Sequence, residues 1–216
     1  ITVFVIPINL FAGLSNDMPA SDFFSSINSA GLNRPYDVLL DSTNHRLFVA
    51  ELYNFRVVVY NLNNDNTLPD RVADYVLGHT DFNGTQSSSN QAILVRPRNL
   101  AFDSVNNRLF VAEDGAHRVK VFDLSGGITN GMNASYVLGQ PDFDSYSSSI
   151  TQNGFTWPVG LSFDLDNERL FVANSNRIQV FDLSGGITNG MNASYVLGQA
   201  DFTSSASADT QNGFNG

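Results

Sequence analysis

The 216-residue sequence contains no cysteine. That single absence removes disulfides, thiolate metal sites and cysteine nucleophiles together, so stability has to come from packing. Basic residues are scarce: 11 Lys and Arg stand against 21 Asp and Glu, a formal net charge of -10. The few cations are dispersed, and the chain lacks the clustered positive footprint that nucleic acid or an anionic membrane surface requires. No run approaches the ~20 apolar residues that cross a bilayer as a helix, so no membrane insertion is expected. The most apolar stretch, Ile1–Phe11, is short, is interrupted by Pro7, and lacks the basic start and small-residue cleavage site of a signal peptide. Because it opens on Ile rather than Met, the sequence reads as a processed or partial product. Helix periodicity is nearly absent as well. So are the phosphate-binding loop, the GxSxG elbow and the dinucleotide fingerprint, which leaves no catalytic residue and no cofactor to nominate.

What the sequence does have is repetition. Val121–Gln140 reads VFDLSGGITNGMNASYVLGQ, and the same twenty letters recur at Val180–Gln199. A weaker copy lies at Val59–His79. RLFVA occurs at Arg46–Ala50, Arg108–Ala112 and Arg169–Ala173, and YVLG ends at Gly78, Gly139 and Gly198. Asp-Phe follows each time, at Asp81–Phe82, Asp142–Phe143 and Asp201–Phe202. A tandem array with a period of roughly sixty residues sets the fold before any single residue does.

Each period holds short runs rich in Val, Ile, Phe and Tyr, separated by Gly, Asn, Asp, Ser and Pro, which is strand and turn chemistry. In the middle copy four strands are predicted: A at Asn99–Asp103, B at Arg108–Ala112, C at Arg118–Leu124 and D at Ser135–Leu138. The A–B turn, Asp103–Asn107, is built of residues that bond their own backbone and tolerate left-handed conformations. Strands B and C are apolar on both faces, as in Leu109-Phe110-Val111-Ala112, and a strand apolar on both faces has to lie between two layers. Four-stranded antiparallel sheets stacked face to face around an axis meet that demand, which is the blade of a β-propeller. The expected fold is all-β: residues 1–33 as an N-terminal outer strand and crossover, then blades at 34–95, 96–156 and 157–216.

The pattern RPxxLxFDxxNxRLFVAExxxxRVxVFDL, running through Arg96–Leu124, resembles the NHL-repeat family of β-propellers. The tail YVLGQPDF with its Ser/Thr-rich crossover is similar to a long-repeat subset in secreted or surface bacterial proteins. The likeness extends from Arg34 to Gly216. It implies closed rings, usually of six blades, whereas three full repeats are present. It is most specific at the B–C hairpin, where Glu51 or Glu113 is followed by Arg56 or Arg118; the third copy departs, with Asn174 for Glu and two residues fewer before Arg177.

Glu51, Glu113 and Asn174 occupy equivalent positions. In lactonase-like propellers such residues converge on a metal, and oxygen donors of this kind suit a hard cation. The competing reading pairs each Glu with the Arg opening its own strand C. Asp41, Asp103 and Asp164 read as turn formers, and His45, His79 and His117 share no ligand spacing. Trp157 stands where the other copies have Arg34 and Arg96, and reads either as a ligand or interface anchor or as a surface aromatic packed on its own crossover. Asn83, Asn133 and Asn192 open Asn-X-Ser/Thr sequons and are candidate glycosylation sites.

At the N-terminus, Leu10-Phe11-Ala12-Gly13 aligns with YVLG, so Thr2–Ala12 reads as a strand D without A, B or C of its own. Its side chains Thr2, Val3, Phe4, Val5, Ile6, Ile8, Leu10 and Phe11 are the candidate interface, since an unpaired apolar strand is a template for pairing with another molecule. Three blades are also expected to leave two blade faces uncovered, on blades one and three. The functional expectation is a non-enzymatic extracellular or cell-surface scaffold that associates with itself as a homo-oligomer, ring or fibre, with other surface proteins or glycans as further partners. The alternatives are a metal-dependent lactonase or lyase, or a ligand-binding adhesin or sensor.

Overall fold

The computed structural model describes residues 31–84, 88 and 90–207, which form three four-stranded antiparallel sheets. The first is β1 (Pro35–Asp41), β2 (Arg46–Glu51), β3 (Arg56–Asn61) and β4 (Tyr75–Leu77). The second is β5 (Pro97–Asp103), β6 (Arg108–Glu113), β7 (Arg118–Asp123) and β8 (Tyr136–Leu138). The third is β9 (Pro158–Asp164), β10 (Arg169–Asn174), β11 (Arg177–Asp182) and β12 (Tyr195–Leu197). Each sheet runs in simple sequence order, every strand pairing with the one before it. The all-β propeller architecture read from the repeats is the observed one.

The strands start where the sequence changes character. One left-handed non-glycine residue precedes each strand A (Arg34, Arg96, Trp157) and each strand B (His45, Asn107, Glu168), and Phe55 and His117 do the same for strand C. In the third sheet the tighter B–C turn places Ser175 there instead. At the A–B turn the Asp closing strand A organises the chain. Asp103 Oδ1 accepts from the Asn106 amide at 3.0 Å, and Oδ2 accepts from Arg108 Nε at 2.8 Å. Asp41 does the same with Asn44 and Arg46. Burial works to raise the Asp41 carboxyl, but the hydrogen bonds from Arg46 and Asn44 outweigh it and hold the pKa below the ordinary value. These aspartates are turn formers.

The blades pack through two apolar cores. Phe48, Ala50, Val57, Val59 and Leu77 of blade 1 meet Leu100, Leu109, Val111, Phe122 and Leu124 of blade 2. Phe110, Ala112, Val119, Val121 and Leu138 of blade 2 meet Leu170, Val172, Phe181 and Leu183 of blade 3. The two-sided apolar character of strands B and C is thus explained by blade 2, which is buried on both faces. Gly139 closes strand D because nothing larger fits: at φ +88 a Cβ would sit 2.1 Å from the Phe155 ring.

Candidate functional site

The B–C corner brings each conserved-looking pair together within its own blade. Glu51 binds Arg56 and Glu113 binds Arg118, with all four side chains fully buried. The second carboxylate oxygen of each Glu accepts a backbone amide from the incoming crossover, Asn33 at 2.6 Å and Val95 at 2.5 Å. The arginines in turn reach the Asp-Phe corner after strand D: Arg56 Nη1 donates to the Phe82 carbonyl at 2.6 Å, Arg118 Nη1 to Phe143 at 2.5 Å, and Arg177 Nη1 to Phe202. The pairing Glu–Arg–Phe carbonyl therefore ties hairpin, outer strand and crossover into one unit. Among the described residues no group of three His, Asp or Glu side chains is placed as a metal site requires.

Blade 3 keeps the arginine, as Arg177, but puts neutral groups in place of the carboxylate and the ammonium. Asn174 donates to Gln179 Oε1 at 3.0 Å, and Gln179 Nε2 donates to the Gln152 carbonyl at 2.9 Å. In blade 2 the position of Gln179 is Lys120, whose wholly buried ammonium donates to the carbonyls of Asn90 (2.7 Å) and Ile93 (2.5 Å) and lies 3.8 Å from Glu113. Burial pushes the Lys120 pKa down to about 8, against the pull of Glu113. Sequence reading passed over Lys120; its only signal was a cation inside the apolar alternation of RVKVFD.

The rim where strands A begin carries Trp157, which is 62% exposed. Its amide donates to His117 Nδ1 at 3.1 Å, and the two rings lie 6.1 Å apart. Trp157 thus links the start of blade 3 to the B–C turn of blade 2. Burial lowers the His117 pKa, with Asp114 opposing it. On the same rim Arg98 lies over the Tyr36 ring at 4.8 Å, donates to its hydroxyl at 2.8 Å, and pairs with Asp114. His79 is buried against the Asn54 carbonyl at 3.1 Å, and His45 contacts Asn66. At the opposite mouth the inner strands enclose a concavity of about 410 Å³, lined by Leu39, Asp41, Thr43, Leu100, Phe102 and Phe163 among others. The sequon residues Asn83, Asn133 and Asn192 are all exposed. Thr2, Val3, Phe4, Val5, Ile6, Ile8, Leu10 and Phe11 lie outside the described residues.

One surface separates blade 3 from its siblings. The residues of blades 1 and 2 that face the following blade are Phe, Ala, Val, Val, Tyr and Leu. Blade 3 repeats them as Phe171, Ala173, Ile178, Val180, Tyr195 and Leu197, with no described blade beyond. Leu138 is fully buried, whereas Leu197 in the same Tyr-Val-Leu-Gly is 44% exposed and Tyr195 is 54% exposed. The expected second open face, on blade 1, differs. Over its outer strands Val49, Val58, Tyr60 and Val76 are buried in a third core with Ala73, against which Leu32, Leu68 and Phe82 pack. Among the described residues its inner strand stays open, at Tyr36, Val38 and Leu40. Leu32 and Phe82 stand where Leu94 and Phe143, and Phe155 and Phe202, stand in the other copies, so equivalent crossover residues cover all three cores.

No family model matches the chain. Over 95 residues it is 34% identical to the human NHL repeat-containing protein 2, an overlap of 43% of this chain and 12% of that protein. Over that stretch the blades are similar to NHL-type repeats, and the fold is that of a β-propeller. Among solved structures, hydrazine synthase of Kuenenia stuttgartiensis matches 79% of the chain at TM-score 0.50 and 15% identity. The WD40 repeats of RRP9 match 78% at TM-score 0.49 and 10% identity. The chain spans 37% and 40% of those two chains. In these blades the Glu–Arg hairpin is internal framework, while the aromatic rim and the blade 3 face at Tyr195 and Leu197 are exposed.

Proposed function

We propose that the chain is a non-enzymatic, protein-binding propeller scaffold acting outside the cell or at its surface, and that it associates with copies of itself through the open face of blade 3. One observation carries the reading. The same Tyr-Val-Leu-Gly is buried by a neighbour in blade 2 and lies open in blade 3, on a face of unchanged apolar chemistry. An exposed apolar surface of this kind marks an interaction site. The NHL-type likeness and the absence of a catalytic motif support a scaffold, and the three exposed sequons support an extracellular setting. Because blade 1, among the described residues, is open along its inner strand, a fibre or ring built by joining blade 3 of one copy to blade 1 of the next has one full surface and one partial one. The segment Thr2–Ala12 is the candidate for strand addition to another molecule.

Sedimentation velocity over a concentration series tests this. The full chain is expected to shift from monomer to larger species, Leu197→Glu to remain monomeric, and deletion of residues 1–12 to weaken the shift. A full chain that stays monomeric at all concentrations, or a Leu197→Glu variant that associates unchanged, contradicts the reading.

A further inference from the structure

Strand D is only three residues long in each blade, and its outer edge exposes the amide and carbonyl of the central valine. In blade 1 that edge is closed from the next blade: the Val76 amide donates to Asn130 Oδ1 at 2.9 Å, and the Gly131 amide donates to the Val76 carbonyl at 3.0 Å. Blade 2 repeats the arrangement, with the Val137 amide on Asn189 Oδ1 at 3.0 Å and the Gly190 amide on the Val137 carbonyl at 2.9 Å. The accepting Asn and the donating Gly both lie in the Thr-Asn-Gly of the following C–D loop. Gly131 and Gly190 adopt φ +67 and +64, and a Cβ on them would meet the backbone of Thr80 at 2.9 Å and of Pro141 at 3.0 Å. An Asn side chain and a glycine amide thus form a two-point latch that covers an otherwise free strand edge.

The latch always points back by one blade, and the chain has an unequal number of its two halves. Thr129-Asn130-Gly131 is engaged on Val76 and Thr188-Asn189-Gly190 on Val137. Counted back from strand D, blade 1 has Pro69 and Asp70 where the Asn and Gly stand, and its loop closes on itself, Asn63 amide to Thr67 carbonyl at 2.9 Å. On blade 3, Val196 sits at the receiving position between the exposed Tyr195 and Leu197, and no described residue supplies its latch. A second copy of this chain has no free Thr-Asn-Gly to offer.

We infer that the edge of β12 is a directional docking point for a fourth blade of this repeat type, one whose C–D loop carries Thr-Asn-Gly six residues ahead of its own Tyr-Val-Leu. Its apolar face covers Tyr195 and Leu197 while its Asn and Gly take the Val196 amide and carbonyl. The apolar face alone admits many partners; the latch selects among them and sets the register, since main-chain bonds fix position and side chains fix identity. The inference rests on the proposed association only in that blade 3 is the joining face.

Amide hydrogen exchange on the full chain, and on the chain extended after Gly216 by a second copy of residues 157–216, tests it. In the 216-residue monomer the Val76 and Val137 amides are expected to be protected and Val196 to exchange freely. In the extended chain Val196 should become as slow as Val137. Asn→Ala in the added loop should then speed Val196 by about tenfold, the loss of one hydrogen bond. Three results overturn the inference: Val196 equally fast with and without the added blade; Val196 already slow in the dilute monomer, which means a segment of its own chain occupies the edge; or Val196 reaching the Val137 rate with concentration in the unextended chain, which means a second copy takes the edge itself, whereas self-association across the apolar face alone leaves the Val196 amide unlatched. Should the extension not fold, Asn189→Ala in the 216-residue chain decides. It must speed Val137 by about tenfold while leaving Val76 unchanged, and an unaltered Val137 rate removes the latch. Failure of self-association in sedimentation leaves the latch untouched, so the two ideas fail separately.

Discussion

Lys120 Nζ lies 3.8 Å from Glu113 Oε2 with both side chains wholly buried, and one blade later the same two positions hold Gln179 and Asn174. The charges are lost together, while the tie between strand C and the crossover is kept: Lys120 holds the Asn90 and Ile93 carbonyls, and Gln179 holds those of Thr151 and Gln152. Two solutions to one problem stand side by side in the chain, and each predicts how the other behaves.

Glu113→Asn alone leaves Arg118 and Lys120 buried without their carboxylate, and is expected to cost about 3–5 kcal/mol. Glu113→Asn with Lys120→Gln recreates the blade 3 arrangement and should recover a large part of that loss. Urea unfolding of the three proteins measures it. A double variant as unstable as Glu113→Asn shows that the two positions are not coupled.

The buried ammonium also sets a pH dependence. Burial lowers the Lys120 pKa to about 8 in the folded protein, against the 10.5 of an ordinary lysine. Between these values the unfolded chain binds the proton that the folded chain has released, so stability contributed by this group rises with pH across that window. Below about 8 both states are protonated and the contribution is flat. Lys120→Gln should abolish the rise, as read from thermal unfolding at pH 7.5 to 10; a variant with the parent's slope contradicts the assignment.

Arg118 and Arg177 make the same hydrogen bond to the Asp-Phe corner, but Arg118 faces the buried Glu113 whereas Arg177 faces Asn174. Arg118→Met takes from Glu113 its closest cation and leaves only Lys120 at 3.8 Å, whereas Arg177→Met deprives no carboxylate. Arg118→Met is therefore expected to be the more destabilising by about 2 kcal/mol or more in denaturant unfolding. Equal losses imply that the carbonyl bond, common to both, is the whole effect.

The inner strands are linked by a side-chain relay. Asp37 Oδ2 accepts from Asn99 Nδ2 and from the Leu100 amide, both at 2.7 Å, and Asn99 Oδ1 accepts from the Leu161 amide at 2.5 Å. Gly160 occupies the equivalent position in blade 3 and has no acceptor to pass on. Asp37→Ala breaks one joint, at about 1–3 kcal/mol, and Asn99→Ala breaks two, so the second should cost more. Amide exchange at Leu161 should rise only in Asn99→Ala.

The blades were legible because the repeat is long and its apolar runs are strict. Strand B of the middle copy was expected at Arg108–Ala112 and is Arg108–Glu113; strand D was expected at Ser135–Leu138 and is Tyr136–Leu138. The joints were not legible. Asn130 and Asn189 sit in loops that read as turn chemistry, and their partners are valines 54 and 52 residues earlier in the chain. Trp157 was singled out, yet its partner His117 was set aside because the histidines share no spacing; a single backbone-to-ring hydrogen bond leaves no periodic trace. The cover on blade 1 uses Phe82, which repeats as Phe143 and Phe202, together with Leu68, from the one C–D loop that does not repeat faithfully.

The most direct test of the account is hydroxyl-radical footprinting of three equivalent tyrosines, Tyr75, Tyr136 and Tyr195, on the full chain across a dilution series. The account predicts that Tyr195 is oxidised several-fold faster than Tyr136 in the dilute protein and slows toward it as concentration rises. Tyr195 as slow as Tyr136 at every dilution would mean that blade 3 has no open face, and Tyr195 fast at every concentration would mean that the face is open but joins no second copy.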